Sequence, residues 1–252
     1  MGSAAAAHLT ITFAGSGDAF GSGGRFQACL HLRPAGGPPL LLDCGATSLS
    51  ALKTVGLDPA EVSAVVVSHL HADHFGGLPF LILDGQFSRR TQPLTVAGPP
   101  GTARRLHEAM EVCFPGSADV RRRFAVNVLE LAPGSTTEVA GAEVAAFEAD
   151  HPSGAPALAL RLAVGGKVVA YTGDTAWTPV LAAAAAGADL LIAEAYYFGK
   201  PVPFHLRHAD LVAHRAELTC RRIVLTHPSA DLLSHAGELA FDLAHDGLVL
   251  EL

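Results

Sequence analysis

Short apolar runs alternate with polar segments rich in glycine and proline along the whole chain. Runs rich in leucine and β-branched residues predict buried strands, and stretches with apolar residues three or four positions apart predict helices. Strands are predicted at residues 10–14, 28–33, 40–43, 62–68, 94–97, 143–149, 158–164, 168–172, 190–194 and 223–226. Helices are predicted at residues 47–55, 101–112, 179–186 and 209–218. Early hairpins followed by mixed strands and helices predict a layered domain of the α/β or α+β class.

The length and composition of the chain agree with one globular domain. It has 252 residues, of which 50% are hydrophobic, and this is enough to build a large core. Because no linker, low-complexity segment or short repeat divides the sequence, we predict a single domain over residues 1–252. No apolar run reaches the roughly twenty residues that a membrane span needs. The first eight residues also lack the basic and apolar regions of a secretion signal.

Cysteine spacing, net charge and a glycine-rich segment bear on the cellular compartment and on the ligands that we expect. Cys29, Cys44, Cys113 and Cys220 form no Cys-x-x-Cys pair, which is typical of reduced thiols and predicts a cytoplasmic protein. The formal charge of -7 predicts no general attraction to nucleic-acid phosphates. The glycine-rich segment at residues 15–24 lacks both the Lys-Ser/Thr ending of a phosphate loop and the spacing of a dinucleotide fingerprint. We therefore expect no nucleotide cofactor.

The densest chemical pattern comes directly after a β-branched apolar run. His69, His71, Asp73 and His74 place three imidazoles and a carboxylate within one short segment. A buried strand before them puts this cluster in the loop at the strand's carboxyl end. Histidine nitrogens with one carboxylate suit zinc or another divalent transition metal, and the lack of nearby cysteines argues against an iron–sulfur site. A merely polar, histidine-rich turn is the alternative, but it does not account for so dense a set of ligand types.

The pattern His-x-His-x-Asp-His resembles the signature of the metallo-β-lactamase superfamily of hydrolases. The family pattern continues with a histidine after a strand, an aspartate in a Gly-Asp-Thr-like turn and a last histidine after another strand. His151, Asp174 and His227 meet these three demands in order. The resemblance thus runs from about residue 11 to the C-terminus. It implies a four-layer αβ/βα sandwich with two metals at one edge.

The resemblance also implies which residues hold the metals. One metal would be bound by His69, His71 and His151, the second by Asp73, His74 and His227, with Asp174 bridging the two. The ions are expected to be Zn²⁺, with Mn²⁺ or Fe as alternatives because the same ligands tolerate several metals. Asp43, where the family commonly has an aspartate, would accept the spare N–H of a ligand histidine and fix its orientation. Turn formation before Gly45 is the competing interpretation of Asp43.

Within the superfamily, the chain is most similar to the ribonuclease Z-like branch. In that branch a glutamate in a Glu-Ala motif pairs with a histidine located before the last metal ligand. Glu194 matches the glutamate, and His205 is the better match for the histidine, although His208 remains possible. The resemblance therefore implies a catalytic set of Asp73, Glu194 and His205, in which His205 donates a proton to the leaving oxygen.

One departure from that branch bears on the substrate. Members that process transfer RNA carry a long exosite arm between the second histidine motif and the bridging aspartate, and residues 151–174 leave no room for it. Together with the acidic charge, this makes transfer RNA unlikely and favours a small-molecule substrate. We therefore expect hydrolysis of a small or cyclic phosphodiester by a metal-bridging hydroxide. A lactone or β-lactam hydrolase and a non-catalytic metal-binding protein are the alternatives, and the family resemblance allows a homodimer.

Overall fold

The computed structural model describes residues 8–252, so most of the opening segment, predicted not to be a secretion signal, lies outside the described residues. The strands are β1 (Leu9–Gly15), β2 (Cys29–Pro34), β3 (Leu40–Leu42), β4 (Ala64–Val66), β5 (Leu94–Gly98), β6 (Val126–Glu130), β7 (Thr136–Val139), β8 (Ala142–Ala149), β9 (Ala157–Val164), β10 (Lys167–Tyr171), β11 (Leu190–Glu194), β12 (Ile223–Thr226), β13 (Asp242–Leu243) and β14 (Leu248–Glu251). The helices are α1 (Ser48–Thr54), α2 (Ala72–Phe75), α3 (Leu78–Phe87), α4 (Thr102–Cys113), α5 (Val180–Ala185), α6 (His208–Ala213) and α7 (Ala230–Ser234).

The strands form two sheets of similar topology. The first has the order β14-β1-β2-β3-β4-β5-β6, with antiparallel pairing from β14 to β3 and parallel pairing from β3 to β6. The second has the order β13-β12-β11-β10-β9-β8-β7, antiparallel from β7 to β10 and parallel from β10 to β13. Each sheet therefore has a parallel part, and the carboxyl ends of parallel strands lie at one edge.

Alternating side chains build the core on both faces of each sheet. In β9, Leu158, Leu160 and Leu162 lie in the cluster between the two sheets, whereas Ala159 belongs to the cluster on the outer face. Helices α1, α3 and α4 cover the outer face of the first sheet, and α5, α6 and α7 cover that of the second. The resulting four layers confirm the predicted αβ/βα sandwich.

Several elements differ from those predicted. The helix expected at residues 209–218 ends at Ala213, and the strand expected at 62–68 pairs only over β4. Seven elements of the described chain were not predicted: α2, α3, α7, β6, β7, β13 and β14. Helix α3 was not predicted because its sequence is apolar on nearly every side and lacks an amphipathic period. Strands β6 and β7 escaped because they are edge strands whose partly exposed side chains form no apolar run.

Two further features bear on function. The connection between β8 and β9 consists of residues 150–156 only, so the second histidine motif leads directly back into the sheet. Among residues 8–252, none of the helices combines the length and the apolar character that crossing a bilayer would require.

Candidate metal centre

The predicted site residues meet at the edge where the parallel strands of both sheets end. The loop and short helix α2 after β4 supply four of these residues, and the second sheet supplies the others at or after the ends of its strands. From the first sheet come His69, His71, Asp73 and His74, and from the second come His151 after β8, Asp174 after β10, Glu194 at the end of β11 and His227 after β12. Residues far apart in sequence are thus brought together because each follows a strand that ends at this edge.

Two groups of ligand-type atoms lie side by side at this edge. One consists of His69, His71 and His151, and the other of Asp73, His74, Asp174 and His227, with the ligand atoms of each group within 4.8 Å of one another. In the first group, His151 Nε2 lies 3.0 Å from His71 Nδ1. In the second, His227 Nε2 lies 3.2 Å from an Asp73 oxygen and His74 Nε2 lies 3.3 Å from an Asp174 oxygen.

Asp174 lies between the two groups. Its carboxylate oxygens are 3.3 Å from His74 Nε2, 3.5 Å from His227 Nε2 and 3.9 Å from His69 Nε2. A carboxylate in this position reduces the repulsion between two neighbouring cations. The structure therefore places Asp174 where the resemblance would have a bridging ligand.

Several buried ligand-type atoms of the site are left unsatisfied by the described part of the chain. Within residues 8–252, His69 Nε2, His74 Nε2 and one Asp174 oxygen are buried without a hydrogen-bond partner. Buried polar atoms in folded proteins are almost always satisfied, so a converging set of unpartnered lone pairs calls for a cation. Imidazole and carboxylate donors in this number suit zinc and similar divalent metals. The residues present thus fit two divalent cations.

The two groups differ in protonation when no cation is bound. In the second group burial alone would lower the pKa of His74 and His227, but the carboxylates of Asp174 and Asp73 outweigh it and raise that pKa, so these imidazoles give up a proton when a cation binds.

The first group shows the opposite direction. Burial holds the pKa of His69 well below its usual value, and it lowers the pKa of His71 and His151 in the same direction. Their imidazoles are therefore neutral and carry a lone pair. Burial alone would raise the pKa of Asp73, but the charge of His74 and a hydrogen bond from His227 outweigh it and lower that pKa.

Asp43 orients a proposed ligand from behind. Its carboxylate lies 2.6 Å from His74 Nδ1 and accepts hydrogen bonds from Ser68 N at 2.7 Å, Ser68 Oγ at 2.8 Å and the Tyr171 hydroxyl at 2.8 Å. Because a carboxylate can only accept, His74 Nδ1 carries the proton and Nε2 faces the other ligands. Asp43 was predicted, whereas Ser68, just after the neighbouring strand β4, and Tyr171, in the second sheet, were not. Only the Tyr171 contact depends on how the two sheets pack.

The structure separates the two candidate proton donors. His205 Nδ1 lies 2.9 Å from a Glu194 oxygen, and the His205 ring lies 4.8 Å from that of His151. His208 instead accepts a hydrogen bond from Ala240 N at 2.9 Å through its Nε2 and packs on Phe198. His205 therefore lies at the metal site, whereas His208 holds the C-terminal segment.

A cavity of about 270 Å³ opens onto these residues. Its polar side is formed by proposed ligands and His205, and its apolar side by Ala19, Phe20, Tyr196 and Val202. Tyr196 packs against His205 with ring centres 5.1 Å apart. Phe20 was not among the predicted site residues, although it lies in the glycine-rich segment after β1 and lines this cavity.

Comparison with known proteins gives consistent results. A protein-family model described as "Anti-Pycsar protein Apyc1" matches residues 9–244. A ribonuclease Z from Mycobacterium marinum is 31% identical over 195 residues, covering 73% of this chain and 69% of the relative. Among solved structures, the short form of human tRNase Z aligns with a TM-score of 0.78 at 24% identity, over 96% of this chain and 98% of that one.

A second solved structure points to the same fold. A diphosphatase of the PhnP family aligns with a TM-score of 0.77 at 23% identity, covering 97% of both chains. At this level of identity the two structural likenesses establish the fold, and the sequence matches establish the family.

Proposed function

Because this chain belongs to the family described as Anti-Pycsar protein Apyc1, within the ribonuclease Z-like branch of the metallo-β-lactamase superfamily of metal-dependent hydrolases, we propose that it is a binuclear phosphodiesterase acting on a small or cyclic phosphodiester. The first group of ligand atoms, His69, His71 and His151, would hold one cation, and Asp73, His74 and His227 the other, with Asp174 shared. Zn²⁺ is the proposed ion, and Mn²⁺ or Fe are its alternatives.

When bound, the two cations supply charge that neutralises the phosphoryl oxygens and lowers the pKa of a water molecule. The ligand residues fix the positions of that charge, and the apolar wall of the cavity limits access of bulk water.

The observation that carries the proposal is the contact between Glu194 and His205. Glu194 is fully buried and binds His205 Nδ1, so the remaining nitrogen, Nε2, is left free on a residue that lines the cavity. Glu194 is itself held by the backbone N–H groups of Thr175 and Leu206. With Nδ1–H directed at Glu194, His205 carries a proton on Nε2 only as the imidazolium, and in that form it can donate this proton to the leaving oxygen of a phosphodiester, which is a poor leaving group when unprotonated.

The size of the site supports a small substrate. The cavity of about 270 Å³ matches a compact ligand, and the short connection at residues 150–156 offers no arm to hold a macromolecule. Transfer RNA is the second candidate substrate, because a relative named ribonuclease Z is 31% identical to this chain over 195 residues. The two candidates differ in what the protein must contact beyond the scissile bond.

The proposal is tested with protein stripped by a chelator and reconstituted separately with zinc, manganese and iron, with bound metal measured in parallel. The substrates are bis(p-nitrophenyl) phosphate, 3′,5′-cyclic mononucleotides, a transfer RNA precursor, a homoserine lactone and nitrocefin. We expect two metals per chain, turnover of the small diesters, and in His205→Gln a loss of turnover that is large for the cyclic mononucleotides, whose alkoxide leaving group needs a proton, and small for bis(p-nitrophenyl) phosphate, whose leaving group does not. His208→Gln is the matched control and should retain both activities. Turnover of the lactone or nitrocefin alone, or of the RNA alone, would overturn the proposal.

A further inference from the structure

We propose that Phe204 is a positioning residue whose left-handed backbone aims its carbonyl at His151 and its successor, His205, at the same cavity. This inference rests on the metal centre of the proposed function. Phe204 has a φ of 61°. An L-residue with a β-carbon is disfavoured there relative to ordinary backbone. Such strain persists only where surrounding contacts enforce it, and it is concentrated at functional sites.

The contact made by the Phe204 carbonyl determines the tautomer of a proposed ligand. His151 Nδ1 lies 2.9 Å from Phe204 O. A carbonyl oxygen can only accept, so the proton of His151 is on Nδ1 and the lone pair is on Nε2. Nε2 is the atom that lies 3.0 Å from His71 Nδ1, inside the first group of ligand atoms. The Phe204 carbonyl therefore does for His151 what the Asp43 carboxylate does for His74.

The chain on both sides of Phe204 is held in place. Tyr196 N donates to Leu206 O at 2.8 Å, and His208 N donates to Tyr197 O at 2.9 Å, so the loop closes on itself. With these ends fixed, the direction of the Phe204 carbonyl is set by the backbone angles of the loop between them, which include the left-handed φ of Phe204. The same angles direct the next side chain, His205, towards Glu194.

The side chain of Phe204 offers no comparable reason for the strain. It is 45% exposed and lies at a shallow cavity beside His151, Pro152 and Ala155. A half-exposed ring gains little from burial, whereas a carbonyl bound to a ligand histidine has a defined chemical task. The function of this position thus lies in its backbone conformation.

Variants can separate the backbone from the ring. Asn tolerates the left-handed region, Ala tolerates it less and the β-branched Val least, while all three remove the aromatic ring. The variants Phe204→Asn, Phe204→Ala and Phe204→Val are compared with wild type for zinc content and for zinc affinity in competition with a chromogenic chelator. Thermal unfolding of the metal-free protein measures the structural effect of each substitution. The matched control is Arg89→Val, because Arg89 also has a positive φ, of 60°, in the turn after α3.

We expect zinc affinity at one of the two sites to fall in the order Asn, Ala, Val, with a loss of about 10- to 100-fold in Phe204→Val, as for other residues that orient a metal ligand. Phe204→Asn should stay within about threefold of wild type because it keeps the conformation. Arg89→Val should lose thermal stability but keep its zinc affinity. If Phe204→Val does not fold, the ranking of Asn above Ala decides.

Equal losses in all three Phe204 variants would overturn the inference and assign the effect to the ring. Unchanged zinc affinity in all of them would overturn it as well. Because zinc binding is measured without substrate, a chain that binds two zinc ions and hydrolyses no phosphodiester would contradict the proposed function alone. A wild-type chain that binds no zinc would contradict both.

Discussion

Strand β4 has a buried polar cluster at each of its ends, and the two clusters are built in opposite ways. At its amino end, Arg90 is only 6% exposed and donates hydrogen bonds to the carbonyl oxygens of Pro59, Val62, Gln92 and Pro93. Each of its guanidinium nitrogens has a partner. At the carboxyl end, some buried atoms of the proposed metal ligands have no hydrogen-bond partner within residues 8–252, namely His69 Nε2, His74 Nε2, His227 Nδ1 and one Asp174 oxygen.

Burial of polar groups serves a different purpose at each end of β4. A buried charge that is satisfied by fixed carbonyls cross-links the loops before β4 and β5 and stabilises the fold. Buried lone pairs that converge without partners lower the stability of the metal-free protein and are satisfied when a cation binds. The two ends should therefore respond differently to substitution and to chelators.

The largest effect is expected from Asp174→Asn, which removes the carboxylate shared by both ligand groups. Turnover of bis(p-nitrophenyl) phosphate should fall at least about 10³-fold, since metal charge stabilisation contributes several kcal/mol. Added zinc should raise the melting temperature of wild type but not that of the variant, because only a bound ligand shifts the folding equilibrium. Calorimetry with and without a chelator measures both. A variant that binds two zinc ions like wild type would contradict the central role of Asp174.

The opposite response is expected from Arg90→Met. The substitution keeps the apolar stem but leaves the carbonyls of Val62, Gln92 and Pro93 without a donor, while that of Pro59 still accepts from Val62 N, so the unfolding free energy should fall by about 3–5 kcal/mol. Zinc affinity and turnover per folded molecule should stay as in wild type, since the lesion lies at the far end of β4. Arg104→Met is the matched control, because Arg104 is in an exposed pair with Glu108 and should change stability by less than about 1 kcal/mol. Equal losses in both variants, measured by urea unfolding, would contradict a special role for Arg90.

The two ends also differ in how far the sequence predicts them. Each proposed ligand is a histidine or aspartate that follows an apolar run, and it was predicted from this position at a strand end together with the motif order of the family it resembles. Arg90 carries no such mark. Its partners are backbone carbonyls brought near by the packing of loops, and a sequence pattern holds no information on which carbonyls come close.

The same limit applies within the site. Asp43 was predicted because a carboxylate at a strand end is visible in the sequence, but the Phe204 carbonyl that binds His151 is a backbone group present at every residue. Helix α3 was missed for a related reason: it is buried by tertiary packing on several sides, so its apolar residues show no helical period. A hydrophobic pattern predicts elements that have one buried and one exposed side. Elements buried on several sides, and contacts made by backbone groups, depend on tertiary packing and leave no such pattern.

His31 is a buried histidine outside the proposed metal centre, and its burial affects stability instead of metal binding. His31 in β2 is 2% exposed, its Nε2 has no hydrogen-bond partner, and burial lowers its pKa to about 4 from 6.5. With the folded pKa below the unfolded one, unfolding takes up a proton between these values, so stability falls as the pH drops from about 6.5 to 4. The loss should reach at most about 3 kcal/mol. In unfolding measured against pH, His31→Leu should remove this component, and an unchanged acid slope would contradict it.

The smallest effect is expected at Asp43, which lies at the metal end but, like Arg90, has its buried charge satisfied by hydrogen bonds. The Tyr171 hydroxyl donates one of the hydrogen bonds that satisfy Asp43, and Tyr171→Phe leaves those from Ser68 and the contact with His74 in place. Stability should fall by about 1 kcal/mol, and zinc affinity by less than about tenfold, since His74 keeps its partner. Tyr197→Phe, at a half-buried ring outside this network, is the control. If Tyr171→Phe lowers stability without touching zinc affinity, Asp43 is held firmly enough by Ser68, and the hydroxyl belongs to the fold and not to the metal centre.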